Sequence, residues 1–225
     1  MVKNPINKEA FALGDYGKKY PGHTEMFADL TGAKTHCMML VCGNLRVCHV
    51  SLHISMLKAI TEYIKKERIL EVIKLTNDAC KRLGISEPKI GVAALNPHAG
   101  ENGLFGDEEK QEIAPAIKQA QDLQINAQGP IPSDTLFSLA RAGQYHAIVA
   151  MYHDQGHIPL KTLGFNYDAK HDNWEVSGVN VTLGLPIIRT SVDHGTAFDK
   201  AGKGISSYRS LLDALSFAIR LVANG

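Results

Sequence analysis

Three histidines stand where apolar, strand-like runs give way to polar segments bearing glycine: His53 in VSLHIS, His98 in NPHAGENG and His153 in AMYHDQG. An imidazole held at the mouth of an α/β sheet, rather than on a helix face, is positioned for a metal or a substrate. Neutral imidazole suits a borderline divalent cation such as zinc, and three protein ligands leave one coordination position open for chemistry. The pattern therefore reads as a catalytic site and not as a structural clamp.

Any of the ten histidines taken alone is more often a satisfied structural residue than a ligand. His36, His146 and His171 stay in that class, and His49, in the same run as His53, faces an undetermined side and could support a neighbouring ligand. His98 and His153 differ because Glu101, Asn102, Asp154 and Gln155 accompany them, with glycines that let backbone approach a ligand.

Gly22-His23-Thr24-Glu25 has the form of a helix start, where free N–H groups and the positive dipole end attract phosphate or carboxylate. A plain N-cap by Thr24, worth about 1 kcal/mol, is compatible with that role. Lys161 and Arg189 add cations, although each alone reads as a solvated surface charge. The glycine-bearing loop from Asp193 to Gly204 can wrap a nucleotide closely, but it lacks the strand-then-GxGxxG order of a dinucleotide fingerprint.

The elements that must position these groups alternate. Thr24 to Leu30 reads as a helix stopped by Gly32, followed by strands at Cys37 to Val41 and Leu45 to Val50 with a hairpin at Gly43-Asn44. Helical periodicity covers Ser55 to Ile64 and Glu67 to Leu83. A strand from Ile90 to Leu95 precedes His98, an acidic helix start at Asp107 leads to a helix ending near Asp122, and a further helix covers Ser133 to Ala142. A strand from Ala147 to Met151 enters a loop carrying His153. Phe165 to Gly178 is a polar excursion; strands at Val179 to Leu183 and Ile187 to Thr190 follow, then a helix from Ser207 to Val222. The fold class is α/β with a largely parallel or mixed sheet.

Composition agrees with an ordinary globular chain: 225 residues, 44% hydrophobic, and 24 Lys+Arg against 23 Asp+Glu for a net charge of +1. That balance favours neither nucleic acid nor an anionic membrane. No apolar run reaches the roughly 18 residues of a spanning helix, and the first residues lack a signal-peptide core, so a cytoplasmic protein is expected. Cys37, Cys42, Cys48 and Cys80 show no CxxC spacing and read as reduced, buried packing residues.

GHTE, NPHAGENGLFGDEE, AMYHDQGHIPLK and NVTLGLPIIRTSVDHGTAFDKAGKG, in that order, closely resemble the 4-hydroxythreonine-4-phosphate dehydrogenase family and its paralogues acting on 4-phospho-threonate and 4-phospho-erythronate. The resemblance runs from PINKEA to the last helix. It implies that His53, His98 and His153 bind a divalent metal (zinc, magnesium or cobalt), and that His23, Thr24, Lys161, Asn180 and Arg189 bind substrate. It further implies an architecture similar to isocitrate and isopropylmalate dehydrogenases, with two α/β/α domains flanking a cleft, and a homodimer that builds each metal site from both subunits. The loop HGTAFDKAGKG is similar to the HGSAPDIAGKG loop of isopropylmalate dehydrogenases, which makes His194, Gly195, Thr196, Ala197 and Asp199 candidate contacts to NAD, or to NADP.

The implied reaction is oxidation of a secondary alcohol with hydride passing to NAD, then loss of carbon dioxide from the β-keto acid. Lys161, Asp154 or a metal-bound water takes the alcohol proton, and the sequence does not choose among them. Relatives begin with a further segment carrying a GDPAGIGPE-like motif, and this chain starts after that region. The expectation is a central metal- and substrate-binding domain over 24–180, with 1–23 and 181–225 as parts of an incomplete outer, cofactor-binding domain. The stretch 166–178 is longer than in typical vitamin-pathway members, and the ENGLFGDEE form leans towards a catabolic paralogue over pyridoxine biosynthesis. Two other readings stand beside this one: a metal-dependent hydrolase or lyase using the same histidines without nicotinamide, and an inactive metal-binding dimer module.

Overall fold

The computed structural model describes residues 1–20, 22–169 and 173–223, with 168 and 173–176 described by backbone alone. Its centre is an eight-stranded sheet in the order β1-β10-β9-β2-β3-β6-β4-β5. The strands are β1 (Val2–Lys3), β2 (Cys37–Cys42), β3 (Leu45–His49), β4 (Ile90–Ala93), β5 (Ala127–Ile131), β6 (Ala147–Ala150), β9 (Val179–Leu183) and β10 (Arg189–Val192). A separate antiparallel ribbon pairs β7 (Phe165–Asp168) with β8 (Asn173–Val176). Pairing is parallel through β3-β6-β4-β5 and antiparallel through β10-β9-β2-β3, so the sheet is mixed.

Strand burial dictates the layers. β2, β4 and β6 are buried along their whole length, which requires helices on both faces. One face is covered by α5 (Lys66–Arg82), α6 (Ala114–Asp122) and α9 (Arg209–Ala223), which share a core with Met39, Val92, Val149 and Val181. The other is covered by α7 (Ser133–Arg141) and α8 (His153–Gly164), packed through Leu136, Ala140 and Leu160 on Leu40, Val47 and Ile148. Along α5 the buried Ile69, Leu70, Val72, Ile73, Thr76 and Cys80 recur at helical spacing, so its stability comes from one apolar stripe pressed on the sheet. α1 (Lys8–Leu13), α2 (Asp15–Lys19), α3 (His23–Leu30) and the short α4 (Met56–Lys58) complete the α-helices among the described residues, and π-helical turns at Ala59–Tyr63 and Glu109–Ile113 adjoin α4 and α6.

The helices and strands read from periodicity are present within a few residues, and the four cysteines are buried thiols. Three features differ. His153 does not sit in a loop; it opens α8, whose first turn it forms with Asp154. Phe165 to Gly178 contains the β7-β8 ribbon, although His171 and the tip around it lie outside the described residues. β5 escaped notice because Gly129-Pro130 interrupts it; as the last strand of the sheet it tolerates a residue without an N–H. No described helix is long and apolar enough to cross a membrane.

Candidate active-site cleft

β3, β6 and β4 are adjacent and parallel, so their carboxyl ends lie along one edge of the sheet. His53 follows β3, His153 follows β6 and His98 follows β4. Topology thus brings three histidines distant in sequence to one rim, the location where open α/β sheets bind ligands. The rings of His53 and His153 lie 5.9 Å apart between centroids, on a cleft of about 520 Å³ that Ser51, Tyr152 and Asp154 also line. His98 stays on its own loop beside Phe105, and among the described residues no group of three or more His, Cys, Asp and Glu is gathered closely enough to cage a metal.

The donors nevertheless suit a divalent cation. The Asp154 carboxylate accepts from Nδ1 of His153 at 2.6 Å, so Nδ1 carries a proton and Nε2 is the nitrogen through which this ring could ligate. His53 is open to solvent on one side, but desolvation by the wall behind it, then the nearby Lys8, hold its imidazole pKa below the ordinary value. A neutral ring is the ligating form.

The supports of this rim are buried and specific. The Gln155 side chain accepts from the Met151 amide at 2.6 Å and donates to Ala94 O at 2.6 Å and Ser133 Oγ at 2.8 Å, tying β6, the segment after β4 and α7 together. Glu109, 4% exposed, accepts from the Leu95 and Asn96 amides at 2.8 and 2.7 Å and from Asn96 Nδ2 at 2.9 Å. Its grip holds the loop in which His98, Ala99, Gly100, Glu101 and Asn102 all have positive φ, between 41° and 78°. Apolar spacing carried no sign of either role.

A second polar group occupies the face of the sheet away from α9. Arg189, 3% exposed, donates from Nη1 to Thr182 Oγ1 at 2.6 Å and to Thr24 Oγ1 at 3.4 Å, which links β10 to the first turn of α3. Burial lowers the Arg189 pKa to about 10. The His23 pKa is lowered by burial first, then by Lys3 and Arg189. His23, Thr24 and Arg189 are therefore convergent, with Asn180 two residues along β9 from Thr182, the partner of Arg189 in the register, and the guanidinium read as a surface charge is buried. Asn180 donates to Met38 Sδ at 3.4 Å, while its Oδ1, Arg189 Nε and His23 Nδ1 are buried and lack hydrogen-bond partners among the described residues.

Lys161 is exposed on the last turn of α8, with its ammonium 5.7 Å from the Phe165 ring. Its field reaches Asp193, whose carboxyl is pushed up by burial against the opposing pull of Lys161 and His194. Asp193 follows β10 and opens the glycine-bearing loop. There His194, Gly195, Thr196 and Ala197 line a separate pocket of about 660 Å³ with Asn4 and Tyr208, and Asp199 lies in the adjoining turn Phe198–Lys200.

Among solved structures, 4-hydroxythreonine-4-phosphate dehydrogenase from Klebsiella pneumoniae superposes with a TM-score of 0.82 at 43% identity, covering 98% of this chain and 63% of that one. An isocitrate dehydrogenase from Methylococcus capsulatus, at 13% identity and a TM-score of 0.56 over 99% of this chain and 68% of the other, shares the fold alone. Among sequences, the D-threonate 4-phosphate dehydrogenase of Cupriavidus necator is 51% identical over 212 residues, which are 94% of this chain and 60% of that protein. The 4-hydroxythreonine-4-phosphate dehydrogenase of Geobacter metallireducens is 49% identical over 221 residues, 98% of this chain and 61% of that protein. The chain thus spans about three fifths of the length of these relatives. With residues 1–218 matched to the family model described as Pyridoxal phosphate biosynthetic protein PdxA, the chain belongs to the PdxA family.

Proposed function

We propose that this chain serves the metal-dependent, NAD-linked oxidative decarboxylation of a four-carbon phosphorylated hydroxy acid, D-threonate 4-phosphate in preference to 4-hydroxythreonine 4-phosphate or 4-phospho-erythronate. The observation that carries this reading is the convergence of Arg189, Thr24 and His23 into a buried, anion-seeking group, on a fold that also sets His53 and His153 on one rim. Both features are what a phosphorylated substrate oxidised beside a metal requires.

The roles follow from the chemistry of each group. Arg189, His23, Thr24 and Asn180 hold the phosphate end, which does not react but orients the part that does. His53 and His153 serve as metal ligands, and His98 completes the set from the partner subunit, because the three do not gather into one cage among the described residues of a single chain. When bound, a divalent metal would acidify the substrate hydroxyl and polarise the ketone, and NAD would accept hydride. Lys161 or Asp154 accepts the alcohol proton; Lys161 has the better claim, since Asp154 is engaged by His153. His194, Gly195, Thr196, Ala197 and Asp199 hold the cofactor. Residues 24–180 act as the metal- and substrate-binding unit, joined to the cofactor-binding flanks of 1–23 and 181–225 through β9, which runs across the 180/181 border. A cytoplasmic homodimer is the expected state.

Calorimetric titration of NAD into the zinc-loaded protein, followed by NADH absorbance with D-threonate 4-phosphate, tests the proposal. Zinc binding without any NAD binding would overturn it in favour of a hydrolase or lyase.

A further inference from the structure

Building on the phosphate-directed reading of His23, Thr24 and Arg189, we propose that Lys3 is a further cationic wall of the same subsite, and that the subsite is built for a dianionic phosphate. The placement follows from strand register. β1 runs parallel to β10 with Lys3 beside Ser191, and β10 pairs with β9 so that Ser191 faces Asn180 and Arg189 faces Thr182. Side-by-side residues share a face and successive residues alternate. Lys3, Ser191, Asn180, Arg189 and Thr182 therefore project from one side of the sheet. Thr190, between them in sequence, points to the other side, where its hydroxyl donates to Ala214 O of α9 at 2.9 Å.

On that side the cations outnumber their partners. The ammonium of Lys3 donates to Asn4 O at 3.1 Å, which leaves two of its protons for another acceptor. Arg189 spends Nη1 on two hydroxyls and leaves Nε without a partner, as it does His23 Nδ1. Among the described residues no carboxylate forms an ion pair with Lys3, Arg189 or His23; Glu25, the acid that acts on Arg189, does so only through its field. The N-terminus of α3 arrives at the same place with Gly22 at its cap and no side-chain cap. A buried guanidinium and a half-buried ammonium left without an acid at a helix N-terminus are costly unless an anion joins them. The Lys3 pKa, lowered to about 8 by burial first and Arg189 second, fits an ammonium lacking its counterion.

Titration of inorganic phosphate into the protein by calorimetry tests this, with Lys3→Met, Lys3→Arg and Arg189→Met compared and folding verified by circular dichroism. Lys3→Met is expected to weaken phosphate binding about tenfold, the loss of one charge-assisted hydrogen bond, and Lys3→Arg to restore most of it. If Lys3→Met binds like the parent while Arg189→Met has lost binding, the role of Lys3 is refuted and the phosphate subsite stands. If neither substitution matters, or the parent binds no phosphate, both readings fall.

Discussion

The imidazole of His157 lies flat against that of His153, their centroids 3.6 Å apart and their planes within 10°, while Nδ1 of His157 donates to the His153 carbonyl at 2.9 Å. Burial lowers the His157 pKa to about 4, so the ring is neutral and can stack as an uncharged plate. His153 is therefore clamped from two sides, by Asp154 at its Nδ1 edge and by His157 on its face. Replacing His157 by Ala is expected to weaken zinc binding about 10- to 100-fold, the usual cost of losing an outer support of a metal ligand. His157→Phe, which keeps the plate and loses the N–H, should fall between. Equal zinc affinity in all three proteins by competition titration would remove His157 from the site.

Glu109 holds the His98 loop by accepting from two backbone amides and a side-chain amide. In Glu109→Gln an NH₂ group must face either Asn96 Nδ2 or those amides, so stability should drop by about 1.5–3 kcal/mol, the range for a hydrogen bond to a charged group. Metal retention by elemental analysis should fall with it. His98→Ala, an exposed position, should lose metal with no comparable change in urea unfolding.

Gly156 lies within α8, where alanine is intrinsically the better helix former by about 1 kcal/mol. A Cβ at this position would stand 2.3 Å from His49 Nε2 and 2.8 Å from Val47 Cγ1, both buried. Overpacking of a buried contact costs about 1–3 kcal/mol, and here it should win. Gly156→Ala is expected to lower the thermal midpoint, and an unchanged or higher midpoint would mean that α8 can slide from the sheet at little cost.

The Lys3 ammonium provides a test in pH. Its pKa in the folded, ligand-free protein is about 8 against 10.5 for the free side chain, so between these values the folded state binds fewer protons than the unfolded one. Stability should therefore rise with pH across that window, and the destabilisation is fully present below pH 8. The groups facing Lys3 are Arg189 and His23, and neither becomes negative in this range. Phosphate binding, which favours the ammonium form, should weaken as pH climbs past 8. Lys3→Met should flatten both trends in thermal melts and phosphate titrations at successive pH values.

Much of this cleft was legible in the residues themselves. His53 and His98 stand past strand ends because apolar runs stop just before them, and the turn at Gly43-Asn44 falls where two largely apolar stretches meet. His153 was misplaced by local reading: the polar HDQG suggested a loop, but Gln155 is buried and bonds across to Ala94, which stabilises a helix there instead. Strand order was beyond reach, because pairing of residue 3 with residue 191 leaves no local signature. Lys3 was missed for that reason, and Glu109 because a buried carboxylate reads as surface charge until the amides it binds are seen. The likeness of GHTE and its companion motifs to a known family, by contrast, marked His23, Thr24, Asn180 and Arg189, which the fold brings together.

The coil from His98 to Asn102 turns against the handedness that L-amino acids prefer, at about 1–2 kcal/mol for each residue other than glycine. Such a coil persists only while its anchors hold, so Glu109 and the Lys110 ammonium, which donates to Asn102 O, act as the catch on a wound spring. Released, the segment would rewind to the right and carry the His98 ring to a new place. On the proposed ligand role of His98, retention of a divalent cation would then depend on whether that latch is closed, and would not be a fixed property of the imidazole.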